Sequence, residues 1–240
     1  KNEFISTVSH ELRTPMTSIK GYTDLLVNER VGSLSEQQRH FAQIIKNNAD
    51  RLTALVNDIL DISRIETGRL KLQIEPLDLS QLINNVIDSI QGQMVEKSLE
   101  VTLDLPPTLP SASGDESRVI QILENLISNA WKYTPEGGQV TIRAQVVNNF
   151  VQVDVTDTGI GIEQKDLSHI FDRFYRTEQA EVQAVDGSGL GLSIVKMFVE
   201  LLGGKIWVES EINRGSNLSF SLHLAVEKPP TPSDGDATGP

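Results

Sequence analysis

The chain has 240 residues, of which 38% are hydrophobic and 22% charged, a composition that excludes a disordered protein and allows one large or two smaller domains. The 33 acidic and 21 basic residues give a net charge of −12, which repels a phosphate backbone and predicts no nucleic-acid partner. The absence of cysteine excludes disulfides, thiolate metal sites and cysteine nucleophiles.

No window approaches the ~18–20 consecutive apolar residues of a membrane span, and the N-terminus lacks the apolar core of a signal peptide. We therefore expect a soluble, cytoplasmic chain with no membrane contact. Because the chain begins without Met and enters an amphipathic helix almost at once, we also expect it to be a fragment of a longer protein.

Heptad spacing of apolar residues predicts two long N-terminal helices, over about 4–27 and 36–66, with Ser35 as the N-cap of the second and Gly68 just past its end. A two-helix hairpin cannot bury its own apolar seam. We therefore predict a homodimer through residues 1–67, in which two hairpins form a four-helix bundle. The seam residues are Ile5, Val8, Leu12, Pro15, Ile19, Tyr22 and Leu26 in the first helix and Ile45, Leu52, Leu55, Ile59 and Ile62 in the second.

A mixed helix and strand pattern after Arg69 predicts a second domain over 76–226, joined through a linker and first strand over 68–75. The expected fold is α+β, with the hairpin followed by a two-layer sandwich of helices on a mostly antiparallel sheet. The Pro-rich tail over 227–240 has nothing to bury and should be disordered. The predicted strands lie at 69–75, 99–104, 139–147, 150–155, 205–210 and 216–224, and the predicted helices at 78–96, 115–133 and 190–202.

His10 occupies the heptad position that points furthest from the seam of the first helix. A lone histidine is more often solvated or structural than catalytic, but its neighbours are unusual. Glu11 follows directly, and Thr14 lies one turn on, on the same face. Pro15 removes the backbone bond to the carbonyl of Glu11 at a cost of ~3 kcal/mol, and the resulting kink would let another domain approach the imidazole.

The run Ser9-His10-Glu11-Leu12-Arg13-Thr14-Pro15 resembles the H-box of the two-component sensor histidine kinases, and the resemblance extends over about residues 1–226. It implies that His10 takes a phosphoryl group from ATP and passes it to an aspartate of a response regulator receiver domain. Glu11 is then the candidate to bond the other ring nitrogen and take up its proton. Thr14 either orients the water that dephosphorylates the regulator or only hydrogen-bonds within a kinked helix.

Asn125 and Asn129 lie four residues apart on one helical face, and their side-chain oxygens suit Mg²⁺. The surrounding run resembles the N-box of the same family. This resemblance implies Mg²⁺ binding by Asn129 first and Asn125 second, and phosphate contacts by Lys132. Tyr133 either lines the nucleotide or packs in the core. Trp131 is bulkier than the small aliphatic residue expected at its place.

The turn Asp157-Thr-Gly-Ile-Gly-Ile follows a strand whose alternate valines face the core, and it resembles the G1 box. The resemblance implies that Asp157 accepts a hydrogen bond from the adenine amino group, while Gly159 and Gly161 let the backbone approach the base. Because the carboxylate would face a carbonyl on guanine, ATP is expected over GTP.

A glycine-rich loop over 187–192 opens the last predicted helix, where backbone amides can meet phosphate. It is not the dinucleotide-binding fingerprint, since no parallel βαβ unit surrounds it. The polar, acidic segment 176–186 before it suits a mobile lid. The nucleotide candidates in the loop are Gly187, Gly189, Leu190, Gly191 and Leu192.

The run Ile170-Phe-Asp-Arg-Phe-Tyr-Arg176 resembles the F-box of the family. Arg173 and Arg176 are candidate phosphate contacts, and Phe171 and Phe174 are alternatively core residues. Two other functions compete with the kinase. A catalytically silent, dimeric nucleotide-binding scaffold would be favoured by loss of a motif residue, and none is lost; gyrase-like and mismatch-repair ATPases share this nucleotide site but lack the hairpin.

Overall fold

The computed structural model describes the backbone of residues 2–184 and 187–225 and the side chains of residues 14–183 and 187–225. The tail over 227–240, predicted to be disordered, lies outside the described residues. Within the described part of the chain, no helix combines the length and the apolar character that crossing a membrane requires.

The N-terminal part is a hairpin of two helices, α1 (Asn2–Val27) and α2 (Glu36–Glu66), close to the predicted bounds. Pro15 lies inside α1. A capping box begins α2: the hydroxyl of Ser35 accepts from the N–H of Gln38, and the Gln38 side chain accepts from the N–H of Ser35 at 2.9 Å. The sequence therefore determines where the second helix starts through a local bond.

The hairpin interior is made of small and medium side chains spaced seven residues apart. Met16 and Thr23 of α1 and Ala42, Ala49 and Val56 of α2 are buried there. Five of the apolar residues predicted to form the seam, Ile19, Leu26, Ile45, Leu52 and Ile59, lie on a different face and are 36–50% exposed within one chain. The seam prediction was wrong for Leu55 and Ile62, which pack with the core of the second domain instead.

Ion pairs join the two helices along one side of the hairpin. Lys20 Nζ lies 2.7 Å from Asp50 Oδ1, and Lys46 bonds to Asp24. These side chains are partly exposed, so each pair contributes little to stability, but together they fix the antiparallel register.

Residues 69–74 do not form the predicted strand. The first strand, β1 (Glu75–Leu77), is short and pairs antiparallel with a strand that was not predicted, β3 (Ala112–Gly114). Within this segment, Leu70 and Leu72 pack half-buried against the core. A strand also needs a backbone partner, and the N–H of Gln73 donates instead to the carboxylate of Asp115 at 2.8 Å.

The second domain is a sheet with helices on one face. Its elements are α3 (Leu79–Glu96), β2 (Glu100–Asp104), α4 (Glu116–Tyr133), β4 (Gln139–Val147), β5 (Phe150–Asp157), α5 (Ala180–Ala184), α6 (Gly191–Leu201), β6 (Lys205–Glu211) and β7 (Gly215–His223). Five of the strands form one sheet in the order β2-β4-β5-β7-β6, with β2 and β4 parallel and the other pairs antiparallel, as the α+β prediction required.

The core lies between the sheet and the helices α3, α4 and α6. Val153 of β5 pairs with Phe220 of β7, and both are fully buried. The core also reaches the hairpin, because Ile62 of α2 belongs to it and Leu55 and Ile65 pack against it. The hairpin and the sheet domain are thus in direct contact.

Asp115 joins the linker to the start of α4. Its carboxylate accepts from the N–H of Gln73, the hydroxyl of Ser117 at 2.7 Å and the N–H of Arg118 at 3.2 Å, and the residue is buried. Burial opposes ionisation, but these hydrogen bonds outweigh it and hold the pKa of Asp115 below its ordinary value.

We expect Asp115→Ala to lower the free energy of unfolding by about 2 kcal/mol near pH 7, because it removes an N-cap and buried bonds to a charged group. A carboxyl group with a depressed pKa stabilises the fold above its unfolded pKa, about 4, and this contribution is lost as the pH falls through the folded pKa. Urea unfolding at pH 7 and pH 3 should show the difference shrinking in acid. Asp78→Ala, which removes the exposed cap of α3, is the control and should cost about half as much; an Asp115 effect that is equal at both pH values would contradict the charge assignment.

Candidate functional site

A cavity of about 710 Å³ lies between α2 and the ends of α4, β5 and α6. This volume is within the range of roughly 300–1,000 Å³ that is typical of small-molecule sites. Motif residues that are far apart in the sequence converge on it. The predicted nucleotide residues that line the cavity are Asn125, Asn129, Lys132, Tyr133, Asp157, Gly161, Arg176, Gly187, Gly189, Gly191 and Leu192.

Asp157 ends β5 on the cavity wall and is buried. Its Oδ1 accepts from the N–H of Gly159 at 2.8 Å. Burial raises the pKa of Asp157 to about 6, against the opposing effect of the N–H groups of Gly159 and Ser216. A ligand amine placed here would supply a further donor to a carboxylate that is short of solvent.

The two glycines after Asp157 are required by close backbone approach. Gly159 does not line the cavity; a Cβ there would lie 2.5 Å from the carbonyl oxygen of Tyr133. Gly161 has a φ of +68°, and a Cβ there would lie 2.1 Å from the carbonyl oxygen of Glu211. Larger residues would push β5 away from α4 and β6 and change the cavity wall.

The amide side chains of Asn125 and Asn129 on α4 line the cavity. The Nδ2 of Asn125 donates to the carbonyl of Gln121 at 2.8 Å, while its Oδ1 faces the first residue of α6, where a Cβ on Gly191 would lie only 2.6 Å from it. Asn129 is half-buried one turn further along. These oxygens fit a hard cation such as Mg²⁺.

Trp131, which is bulkier than the residue expected at its place, is held by polar partners. Its indole N–H donates to the carbonyl of Gln93 at 3.1 Å. The ammonium of Lys97 lies 5.7 Å from the ring centroid and donates to the carbonyls of Trp131 and Lys132 at 2.8 and 3.0 Å. Lys97 therefore caps the last turn of α4 from a distance of 34 residues in sequence.

Arg176 lies at the cavity and ties together the segment around α5. Its guanidinium donates to the carbonyls of Val182 and Gly187, the latter at 3.4 Å. Burial raises the pKa of Tyr133 nearby, and the positive charge of Arg176 opposes that shift. A cation and a phenol thus face the cavity beside the glycine-rich loop.

Arg173 and Leu190 are not on the cavity wall. Arg173 pairs with Glu66 of α2 at 2.5 Å, so the phosphate contact predicted for it is not supported by its position. Leu190 is fully buried in the core. Phe171 and Phe174 were considered as core residues; Phe171 packs against the core, whereas Phe174 is 67% exposed.

The hairpin brings acidic residues to the cavity that sequence reasoning missed. Asp50 and Asp58 of α2 both line it. Burial, together with the charge of Asp61, raises the pKa of Asp58 to about 6. In the sequence they are charges on an amphipathic helix, and nothing local distinguishes them from a solvated face.

The candidate acceptor residues lie on α1. His10 and Glu11 are within the helix, but their side chains are outside the described ones. Thr14 is exposed.

Comparison with protein families assigns both parts of the chain. Residues 1–68 match the His Kinase A (phospho-acceptor) domain, and residues 114–226 match the Histidine kinase-, DNA gyrase B-, and HSP90-like ATPase. The chain belongs to the two-component histidine kinases. The resemblance seen in the sequence motifs is therefore confirmed, and the ATPase family supports ATP as the ligand of the cavity.

Relatives of this histidine kinase are longer proteins. The chain is 35% identical over 230 residues to the sensor histidine kinase WalK of Bacillus subtilis, covering 95% of this chain and 37% of that protein. It is 39% identical over 233 residues to Drug sensory protein A of Synechocystis sp., covering 92% of this chain and 35% of that protein. The chain thus spans little more than a third of these relatives.

Solved structures share the fold of this histidine kinase over most of the chain. Full-length ShkA in complex with AMPPNP matches with a TM-score of 0.77 at 32% identity, over 94% of this chain and 47% of ShkA. The histidine kinase AdeS of Acinetobacter baumannii matches with a TM-score of 0.65 at 26% identity, over 90% of this chain and 98% of that one.

We expect the ATP affinity of the histidine kinase to fall as the pH drops through about 6, the pKa of Asp157. A carboxylate that accepts from the adenine amine must be ionised, so protonation should weaken binding by about tenfold per pH unit below that value. Calorimetry at pH 7.5 and 5.0 measures the slope. Asp157→Asn should bind weakly with a flatter profile, which separates this carboxylate from titration of the phosphates; equal slopes in the two proteins would show that Asp157 is not the titrating group.

Proposed function

We propose that the chain is an ATP-dependent protein-histidine kinase that autophosphorylates on His10 and passes the phosphoryl group to an aspartate of a response regulator. The observation that carries this proposal is the shared use of α2. The same helix closes the hairpin that contains His10 and forms one wall of the cavity on which the nucleotide motifs converge.

In the proposed reaction, a ring nitrogen of His10 attacks the γ-phosphorus of ATP. The bond to the bridging oxygen breaks, and ADP leaves with that electron pair. The proton on the other ring nitrogen passes to Glu11, so the phosphorylated ring is neutral. In the transfer to the regulator, the aspartate carboxylate is the nucleophile that attacks the phosphorus, and His10 is the leaving group.

The cavity supplies complementary charge to the nucleotide. We propose that Asp157 bonds the adenine amine and that Lys132 and Arg176 face the phosphates near the glycine-rich loop. Amides at the N-terminus of α6 favour an anion there. The side-chain oxygens of Asn129 and Asn125 would hold Mg²⁺, which when bound neutralises charge on the phosphate oxygens.

Thr14 is proposed to serve the regulator rather than ATP. Its hydroxyl is exposed one turn beyond His10 and next to Pro15. A hydroxyl at that place can orient a water molecule toward the phosphorylated aspartate of a bound receiver domain. This would give the chain phosphatase activity on its partner.

The hairpin is proposed to form a four-helix bundle with a second copy. The exposed apolar row of the hairpin includes Ile45, Leu52 and Ile59 at heptad spacing. This row lies apart from the hairpin interior, so it is available to a symmetric partner.

Labelling tests the kinase directly. Incubation with ATP labelled at the γ-phosphate and Mg²⁺ should give an acid-labile, base-stable label, as a phosphoramidate does. His10→Ala should abolish the label while ATP affinity stays within about twofold, because the acceptor and the nucleotide residues lie in separate domains.

The matched control is His40→Ala, which removes an exposed histidine from the same hairpin and should leave the label intact. A label retained in His10→Ala would remove His10 as acceptor. ATP binding without any label in the unmodified protein would favour the nucleotide-binding scaffold instead.

Leu52→Lys should dissociate the proposed dimer, since the substitution places two charges in the symmetric interface. Removing two leucines from burial raises the dissociation constant by at least about a hundredfold. Analytical ultracentrifugation measures this. Asn57→Lys, an equally charged change on a different face of α2, should remain dimeric, whereas monomeric unmodified protein at micromolar concentration would rule out the bundle.

A further inference from the structure

Asp166 and Tyr175, which lie between β5 and α6 in the sequence, form a hydrogen-bonded pair to which the motifs assigned no role. The Tyr175 hydroxyl donates to Asp166 Oδ1 at 2.7 Å. Asp166 is only 3% exposed, and its Oδ2 has no hydrogen-bond partner among the described residues. A buried carboxylate with one unsatisfied oxygen is costly, so its presence calls for a structural reason.

Asp166 is anchored to the domain core through its backbone. Its carbonyl accepts from the N–H groups of His169 and Ile170, at 2.8 and 3.0 Å, and Ile170 is buried in the core. The carboxylate is therefore a fixed point to which the Tyr175 hydroxyl is attached.

The other side of Tyr175 supports the glycine-rich loop. Tyr175 lines the cavity, and the N–H of the preceding Phe174 donates to the carbonyl of Gly189 at 2.8 Å. Gly189 has a φ of +69°, and a Cβ there would lie 2.7 Å from the Phe174 carbonyl carbon and 2.9 Å from the Tyr175 carbonyl oxygen. The loop thus rests directly on the backbone at residues 174–175.

The backbone that carries this contact is itself strained. Phe174 has a φ of +63°, a left-handed conformation that a bulky residue adopts only when its surroundings impose it. The bond to Gly189 lies on one side of this residue and the Tyr175–Asp166 bond on the other. The hydrogen bond to Asp166 also raises the pKa of Tyr175 to about 12, so the phenol remains a donor at neutral pH.

We propose that Asp166 is a positioning residue for the glycine-rich loop and acts through Tyr175. The buried carboxylate holds the phenol, the phenol holds the strained backbone at Phe174, and that backbone holds Gly189 where the loop meets phosphate. The inference rests on the proposed function in one respect, that this loop receives the phosphates of ATP.

The test compares ATP with adenosine, which lacks the phosphates, in calorimetric titrations of the full chain. Tyr175→Phe keeps the ring and removes the donor, and it should weaken ATP binding by about fivefold, the effect of one lost hydrogen bond, with adenosine binding unchanged. Asp166→Ala should do the same. Asp166→Asn should restore ATP affinity, because its amide oxygen can accept from the phenol.

Asp172→Asn is the matched control, since Asp172 is an exposed carboxylate of the same segment that bonds to His169 rather than to Tyr175. It should bind both ligands as the unmodified chain does. In the double variant Tyr175→Phe/Asp166→Ala the losses should not add, because one bond is removed twice. Thermal unfolding accompanies each variant, and if Asp166→Ala does not fold, Tyr175→Phe carries the test.

Equal losses for ATP and adenosine would mean general destabilisation and would overturn the proposal. Unchanged ATP affinity in Tyr175→Phe, additive losses in the double variant, or failure of Asp166→Asn to restore binding would also overturn it. If the unmodified chain does not bind ATP, both the proposed function and the role of Asp166 are overturned. If the unmodified chain binds ATP and the variants bind it equally well, only the role of Asp166 is overturned.

Discussion

The C-terminal half of α2 must satisfy two sets of contacts at once, and the arrangement of the whole molecule depends on this. One face of this half closes the hairpin through Val56, while Ile62 enters the core of the ATPase domain. A helix offers about 3.6 positions per turn, so contacts at heptad spacing on one face leave the other faces for different partners. The hairpin interior can therefore be narrow, and the nucleotide cavity can take α2 as a wall.

Two ion pairs join the ATPase domain to α2 beside the apolar contacts. Arg118 of α4 reaches Asp61 at 3.1 Å and stacks over the ring of Phe198, with its guanidinium carbon 4.9 Å from the ring centroid. Arg173 pairs with Glu66 one turn further on. The largely buried Arg118–Asp61 pair has a desolvation cost that offsets most of its attraction, and the exposed Arg173–Glu66 pair gains little in water, so both specify an orientation without adding much stability.

The sequence predicted the parts of this histidine kinase that depend on local patterns. Amphipathic periodicity located α1 and α2, and the Asn148-Asn149 turn located the β4–β5 hairpin, where Asn148 has the positive φ of 55° that such a turn favours. Most of the nucleotide residues that the motifs predicted line the cavity, because each motif is a short run. The α+β class followed from the change of period after α2.

What the sequence did not predict depends on contacts between distant residues. Lys97 caps α4 across 34 positions, and β3 pairs with β1, which lies far from it in the sequence. Arg173 and Arg176 belong to one irregular run without a period, so the sequence offered no means of deciding which faces the cavity. The burial of Asp58 and Asp166 likewise comes from packing, and neither position differs locally from a solvated acidic residue.

The contacts between the ATPase domain and α2 also matter for the proposed reaction, in which ATP bound at the cavity must reach His10 on the hairpin. Phosphoryl transfer needs the acceptor nitrogen within about 3–3.5 Å of the phosphorus, whereas the cavity opens against α2 and His10 lies on the neighbouring helix. The proposed reaction therefore brings ATP in the cavity to His10 across the contact between the ATPase domain and the hairpin. This contact consists of a few apolar side chains and ion pairs. Because ion pairs specify an orientation without adding much stability, such a contact opposes a change in the position of the domain less than a broad apolar interface would.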